Sequence, residues 1–420
     1  MSIDEWQGLV DTIRNIHHIG KAKTMMIAMA DGLSYEQVRD EIASSIAINA
    51  KKSGKNTRTA NDWLGKKIEG LRQFGAAHIK VATWARIMDG GKDNGPVWRF
   101  FVQTANERAS WETSQRAEAT EKLAAILAPV LKKVSTSDKV GKGKFFPSIG
   151  ESLNWEARMA IAMNYGNDSN LQRLLDGMGW SIEQIMPVLS SLTMEEWKAA
   201  EAIGQHFESY RPQIAEKEKR VNGKEPKWIE PREFAVVTAD GQRFTSKGWY
   251  YPVVFDPRLS LEASQHASAE DAKNQMKAAY NVATTRRSFV KERAEKVVGR
   301  PLLLSLQGMY SGINDVIHDL AWHEWVIDAN KLLRSKSIDN AIREYYGPEV
   351  KREFEKWRDD IVAGTRRLDH AIEKAAGFFR QSVSFAGLAF NVVSALMQPF
   401  GLINSGVRVG HKWIGHGVAR

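Results

Sequence analysis

Apolar side chains recur every three or four residues through most of the first 220 positions, and a chain patterned this way buries its apolar stripes by packing helix on helix. Trp6, Leu9, Val10, Ile13 and Ile16 open the series on one face of one helix. The same periodicity predicts helices over 35–50, 60–73, 76–88 and 98–134, separated by Gly90-Gly91 and by Asn94-Gly95-Pro96. A basic, glycine-punctuated run at 132–148 interrupts it, and helices resume over 154–163, 170–178, 181–192 and 193–220. Ser181 stands where an N-cap belongs, and Thr193 with Glu196 has the spacing of a capping box.

The period changes after Asn222-Gly223. Residues 234–238 and 242–245 flank Asp240-Gly241, a pair favoured in tight hairpin turns, and 249–255 are rich in β-formers. Pro252 lacks an N–H, so this last segment is expected as an edge strand or a clasp lying on another surface. Helical patterning returns near 261 and continues over 272–298, 302–333, 338–345 and 349–374. The fold class expected is mainly α: a multi-helix array with a small β-hairpin or extended arm near residues 234–256. A chain of 420 residues exceeds what one core usually holds. The segments drawn are an N-terminal helical domain over 1–135, a basic linker over 136–150, a central helical domain over 151–225, a hairpin or arm over 226–260, a C-terminal helical domain over 261–380 and an apolar tail helix over 381–420.

The absence of Cys removes disulfides, thiolate nucleophiles and Cys-ligated zinc together, leaving His and carboxylates as the available metal ligands. A net charge of +9 favours contact with nucleic acid or anionic lipid through a basic surface, although it is diluted over the whole length. The first residues carry early acids and no basic run ahead of an apolar core, so no secretory signal is expected. The last ones are uncapped, which suggests a fragment of something longer. The Trp residues at helical spacing are expected as packing residues and not as base-stacking ones.

Asp315, His318, Asp319, His323, Glu324 and Asp328 crowd one predicted helix. The spacings i, i+3 and i, i+4 let Asp315 reach His318 and Asp319 reach His323. The two His are five apart, about 140° around the helix, unlike the i, i+4 pair of a zinc-protease helix. Structural Asp–His bonding is therefore expected, with a metal or acid–base site around His318 and His323 as the rival. Glu151-Ser152 has the residue types of a lytic transglycosylase pair, but the downstream Gly-Leu-Met-Gln element is missing. Gly141-Lys142-Gly143-Lys144 lacks the glycine spacing and the Ser/Thr of a phosphate-binding loop. No motif calls for a cofactor, a resident metal or a small-molecule substrate, and no catalytic residue is assigned.

Several blocks in order resemble one family, the large polyvalent polypeptides of tailed phages and mobile elements, some of which are internal virion proteins ejected with the genome. They are Glu156-Ala-Arg-Met-Ala-Ile-Ala-Met-Asn164 with Tyr165-Gly166-Asn167, Asn170-Leu-Gln-Arg-Leu174, Leu192-Thr-Met-Glu-Glu-Trp197, Tyr210-Arg-Pro-Gln-Ile-Ala215 and Arg220-Val-Asn-Gly223. Further along come Gly248-Trp-Tyr-Tyr-Pro252, Phe255-Asp-Pro257, Gly299-Arg-Pro-Leu302, Val316-Ile-His-Asp-Leu-Ala321 and the run from Asn391 to Gly401. The resemblance covers residues 151–410, and the first 150 match nothing in it. It implies a non-catalytic structural or delivery segment that packs with itself or with other virion proteins. It also implies synthesis in the host cytoplasm, residence inside the virion and delivery into the host envelope or cytoplasm. His323 and Trp325 depart from the family's pattern, which keeps a local ligand role open. The rivals from other classes are an enzyme module around His318/His323 and a cytoplasmic nucleic-acid-binding accessory protein.

Residues 381–407 hold no charged side chain between Arg380 and Arg408, a run longer than the roughly 20 residues that cross a bilayer core. Ser384, Gly387, Asn391, Ser394 and Gln398 step by three and four, placing a small-and-polar stripe on one helix face suited to close helix–helix approach. A buried stripe needs hydrogen-bond partners on a neighbouring helix, from another copy or from the chain's own core. We expect Asn391→Leu with Gln398→Leu to weaken specific assembly and raise lipid binding. Sedimentation and liposome flotation of the two versions check this, and no change in either would remove the role given to the stripe.

Overall fold

A computed structural model of the chain describes residues 35–53, 73–140, 143–223, 225, 226, 228–256 and 300–362. The expected helices at 6–16, 60–73 and 272–298, most of the helix after 362 and the 381–407 tail lie outside these residues. The described part is mainly helical with two small antiparallel two-stranded sheets. In chain order the elements are α1 (Tyr35–Ser53), α2 (Gln73–Met88), a π-helical segment (Trp98–Gln103) that runs straight into α3 (Thr104–Lys133), and α4 (Thr136–Val140). Strands β1 (Lys144–Phe146) and β2 (Glu151–Leu153) precede α5 (Trp155–Asn164), α6 (Asp168–Met178), α7 (Ile182–Leu189), α8 (Met194–Glu208) and α9 (Arg211–Asn222). The hairpin β3 (Phe234–Val237) and β4 (Arg243–Ser246) is followed by an extended arm as far as Asp256, and beyond residue 300 come α10 (Gln307–Leu333), α11 (Lys336–Tyr346) and α12 (Pro348–Val362).

Local chemistry explains most of these boundaries. Asn154, Asn167 and Ser335 accept hydrogen bonds from the third residue on, and Thr193 forms its capping box with Glu196. The box at Ser181 closes with Gln184, while the Ser181 hydroxyl donates to Glu183. The single helix expected over 193–220 is two helices. Pro212 has no N–H to donate and its ring clashes with the carbonyl four residues back, so the chain turns at Ser209-Tyr210 and restarts with proline in the first turn of α9. Residues 136–150, drawn as a linker, hold α4 and β1, and Phe146 of β1 is buried where that strand pairs with β2.

Two apolar clusters form, and they do not follow the sequence-drawn segments. The first gathers Phe146, Trp155, Met159, Trp197, Phe207 and Trp249 with Leu123 and Leu127 of α3 and Ile313 and Ile317 of α10. The second gathers α1, α2, the π-helical segment, α11 and α12 around Ala105 of α3 and Trp322, Trp325 and Leu332 of α10. Helices α3 and α10 therefore belong to both, with the hand-over on α10 falling between Leu320 and Ala321. Their bonds run Thr104 to Trp325 and Glu112 to Trp322 and His318, so the two helices lie antiparallel.

The hairpin has the expected place, with Phe234 opposite Ser246, Val237 opposite Arg243, and Gly241 at positive φ in the turn. Beyond it the arm is a clasp. Gly248, at φ +81, lies against the backbone of Gly166 and Arg232. Trp249 then enters a slot whose walls are two glycines: a Cβ at Gly166 or Gly204 would stand 2.6 or 2.2 Å from the indole. The indole N–H donates to the Met163 carbonyl at 2.9 Å, and the side-chain amides of Asn167 and Asn170 donate to the carbonyls of Trp249 and Tyr251. Pro252 rests against Gly312 of α10, and the backbone N–H of Leu303 donates to Val254. Among the described residues no helix is long and apolar enough to cross a membrane.

Because the Trp249 slot has no slack, we expect Gly204→Ala to destabilise the fold by about 1–3 kcal/mol and Trp249→Ala by about 3–5 kcal/mol. Chemical denaturation followed by circular dichroism measures both, and a neutral Gly204→Ala would mean the clasp shifts without cost.

Candidate functional site

Helix α10 is the element on which the sequence concentrated its ionisable residues, and the structure gives them different neighbours. His318 faces α3, where its Nδ1 lies 2.8 Å from Glu112 Oε1. The Trp322 indole N–H donates to the other oxygen of Glu112 at 2.7 Å, and Arg116, one turn on along α3, is 2.6 Å from Oε1. Burial alone would push the Glu112 carboxyl up, but the Arg116 guanidinium, His318 and the two hydrogen bonds outweigh it and hold it at about 2.

Asp319 and Glu324 face α9 instead. Asp319 pairs with Lys217, whose side chain is fully buried and lies 3.1 Å from Glu218 as well. Arg220 grips Glu324 through both carboxylate oxygens, at 2.7 and 3.0 Å. Partner numbers rise together, so α9 and α10 run in the same direction. His323 sits buried 3.7 Å from Asp319, the i, i+4 neighbour its spacing predicted, and Asp315 lies half-buried one turn before His318. Of Asp315, His318, Asp319, His323 and Glu324, His318 thus turns to α3 while Asp319 and Glu324 turn to α9. Among the described residues no three His, Asp or Glu side chains converge where one metal ion would sit.

One turn beyond Glu324 the surroundings change. Asp328 is 5% exposed, and neither of its carboxylate oxygens has a hydrogen-bond partner. It lines a cavity of about 250 Å³ between α10 and the start of α3. Phe100, Trp111 and Trp325 give this cavity aromatic walls, and Glu107 and Arg108 bring charges to it. Thr104 fixes one wall: its hydroxyl donates to the Phe100 carbonyl and accepts from the Trp325 indole N–H, both at 2.9 Å. Phe100 belongs to the π-helical segment, whose wider turn is frequent near functional sites. That segment starts where Asp89 accepts the backbone N–H groups of Val97 and Trp98.

Burial pushes the Asp328 carboxyl up to about 8; Glu324 adds to the rise, while Lys331 and Arg108 oppose it. The sequence pointed to this helix but not to the cavity, because Glu107, Arg108 and Trp111 lie some two hundred residues away along the chain. The available signal was one Asp set among Trp325, Val326, Ala329 and Leu332. Elsewhere, Glu151 and Ser152 lie exposed on β2, while Gly141 and Lys142 fall outside the described residues.

Fold and site together define a helical protein with two cores, whose shared helix carries a buried acid beside an aromatic cavity. Comparison with known protein families, with curated protein sequences and with solved structures finds no match.

The raised pKa has a consequence for stability. Between about pH 4 and about pH 8 the folded chain keeps the Asp328 proton that the unfolded chain has released, so this group lowers stability as pH rises through that window. We expect Asp328→Asn to abolish that decline, so that its stability relative to the parent improves from pH 5 to pH 8 and then levels off. Urea denaturation across this range measures it; a pH-independent difference would mean that Asp328 stays ionised in the fold.

Proposed function

We propose that the chain is a non-catalytic structural or delivery segment of an internal, DNA-ejection-type virion protein of a tailed phage or related element. The observation that carries this reading is the ordered series of blocks between residues 151 and 410 that resemble the polyvalent and ejected polypeptides. The packing on α10 is consistent with it. His318, one of the two histidines around which a metal or acid–base centre would be built, is engaged by Glu112, and its neighbours Asp319 and Glu324 are engaged by Lys217 and Arg220 in holding helices together. An enzyme module at His318 and His323 would need at least one of those contacts broken. In this reading the chain packs with copies of itself or with other virion proteins. The basic surface touches DNA, and residues 381–407 contact the envelope during delivery.

Purified, nuclease-treated particles decide the matter. Mass spectrometry is expected to find this protein inside them, protected from added protease until the particles are triggered to eject. Its confinement to the cytoplasm of producing cells would overturn the reading and favour an accessory protein that binds nucleic acid there.

A further inference from the structure

We propose that the cavity beside Asp328 is a binding site for a small protonated amine carried on an aromatic or compact apolar body. Three independent features meet there. The first is space: a cleft of about 250 Å³, open to solvent on the side of the exposed Glu107, has room for a ring-sized body. The second is the wall: Phe100, Trp111 and Trp325 line the cavity, and aromatic rings attract a cation. The third is the acid. Asp328 is buried, lines the cavity and has both oxygens without a hydrogen-bond partner, an arrangement that costs stability unless something satisfies it.

Other occupants fit less well. A metal ion would need several converging ligands, and no such group exists among the described residues. An anion would be drawn by Arg108 but would meet Asp328 and Glu107 on the same walls. Lys331 and Arg108 attract the ionised form of Asp328 from a distance and neither makes a hydrogen bond to it, so the chain's own cations leave the acid's oxygens available. A neutral apolar molecule would fill the space and leave the acid as it is. An ammonium group displaces the proton that Asp328 holds below about pH 8 and donates to the carboxylate so formed, while its hydrocarbon body covers the indoles.

Three probes of nearly one shape separate these cases: benzylamine, benzyl alcohol and benzoate, titrated into the full chain by calorimetry at about pH 8.5, where Asp328 is mostly ionised and the amine still protonated, with tryptophan fluorescence as a second readout. Benzylamine is expected to bind about tenfold or more tighter than benzyl alcohol, with benzoate weakest. In Asp328→Asn the amine should fall to the level of the alcohol, while alcohol binding, which reports an intact cavity, stays unchanged. Equal binding of amine and alcohol, preference for benzoate, no binding of any probe, or amine binding that survives Asp328→Asn would each overturn the proposal. Should Asp328→Asn not fold, the ranking of the three probes on the parent chain decides alone.

Discussion

The fold depends on burying a long helix that is not purely apolar. Helix α10 carries acids, histidines and tryptophans on several sides and packs against α3, α9, α11 and α12, so little of its circumference faces water. An amphipathic surface helix leaves its polar face to solvent; a helix enclosed in this way must find a protein partner for each charge. Asp319 and Glu324 find Lys217 and Arg220 on α9, and His318 finds Glu112 on α3. Buried pairs of this kind add little net stability compared with apolar packing, because desolvation offsets most of the attraction. Their effect is on register: sliding α9 by one turn along α10 would take the fully buried Lys217 away from Asp319 and leave it only its chain neighbour Glu218, so wrong alignments are penalised more than the right one is rewarded.

The same demand links the two cores. Above Leu320 the neighbours of α10 are the clasp, α8 and the α5 region; below Ala321 they are α1, α11 and α12. A rigid rod shared between two clusters transmits the placement of one to the other, and α3 does so in the opposite direction beside it. The clasp matters for this reason, since Pro252 and Val254 lie against Gly312 and Gly308 while Trp249 is locked between Gly166 and Gly204. A tryptophan seated in one helical pair and a proline seated on α10 together set the distance between them.

What the sequence made legible was whatever depends on near neighbours. Helices at 35–53, 73–88 and 98–133, the capping box at Thr193, the hairpin about Asp240-Gly241 and the extended arm at Pro252 all follow from periodicity, caps and turn chemistry within a few residues. The i, i+4 approach of Asp319 and His323 is of the same kind. The break at Ser209-Tyr210 was also local, written in Pro212, but a strong apolar period on both sides concealed it. The partners of α10 were not legible. Nothing near Lys217 or Glu112 marks them as mates of residues 319 and 318, because such pairings are chosen by how helices stack and leave no trace in spacing. Half of the candidate site was visible for that reason: the helix bearing Asp328, but not the wall from α3 that closes the cavity.

Asp328 is the position where packing alone accounts least for the residue found. Its neighbours Glu324 and Asp319 have cations within reach, and every contact there has a role in aligning helices. At Asp328 an apolar residue would fill the space beside Trp325 and Ala329 and remove a desolvation penalty. The backbone across the cavity departs from regular geometry as well, since the π-helical turn at 98–103 widens the helix where an α-helical continuation would have been the lower-cost course. Two local departures from the usual rules at one cavity, a buried acid without a partner and a π-helical turn, are the pattern expected where a structure gives up stability for a site. Edge-to-face contacts of Trp325 with Trp322 at 5.4 Å and with Trp357 at 5.1 Å pack this wall while the acid beside it remains unsatisfied.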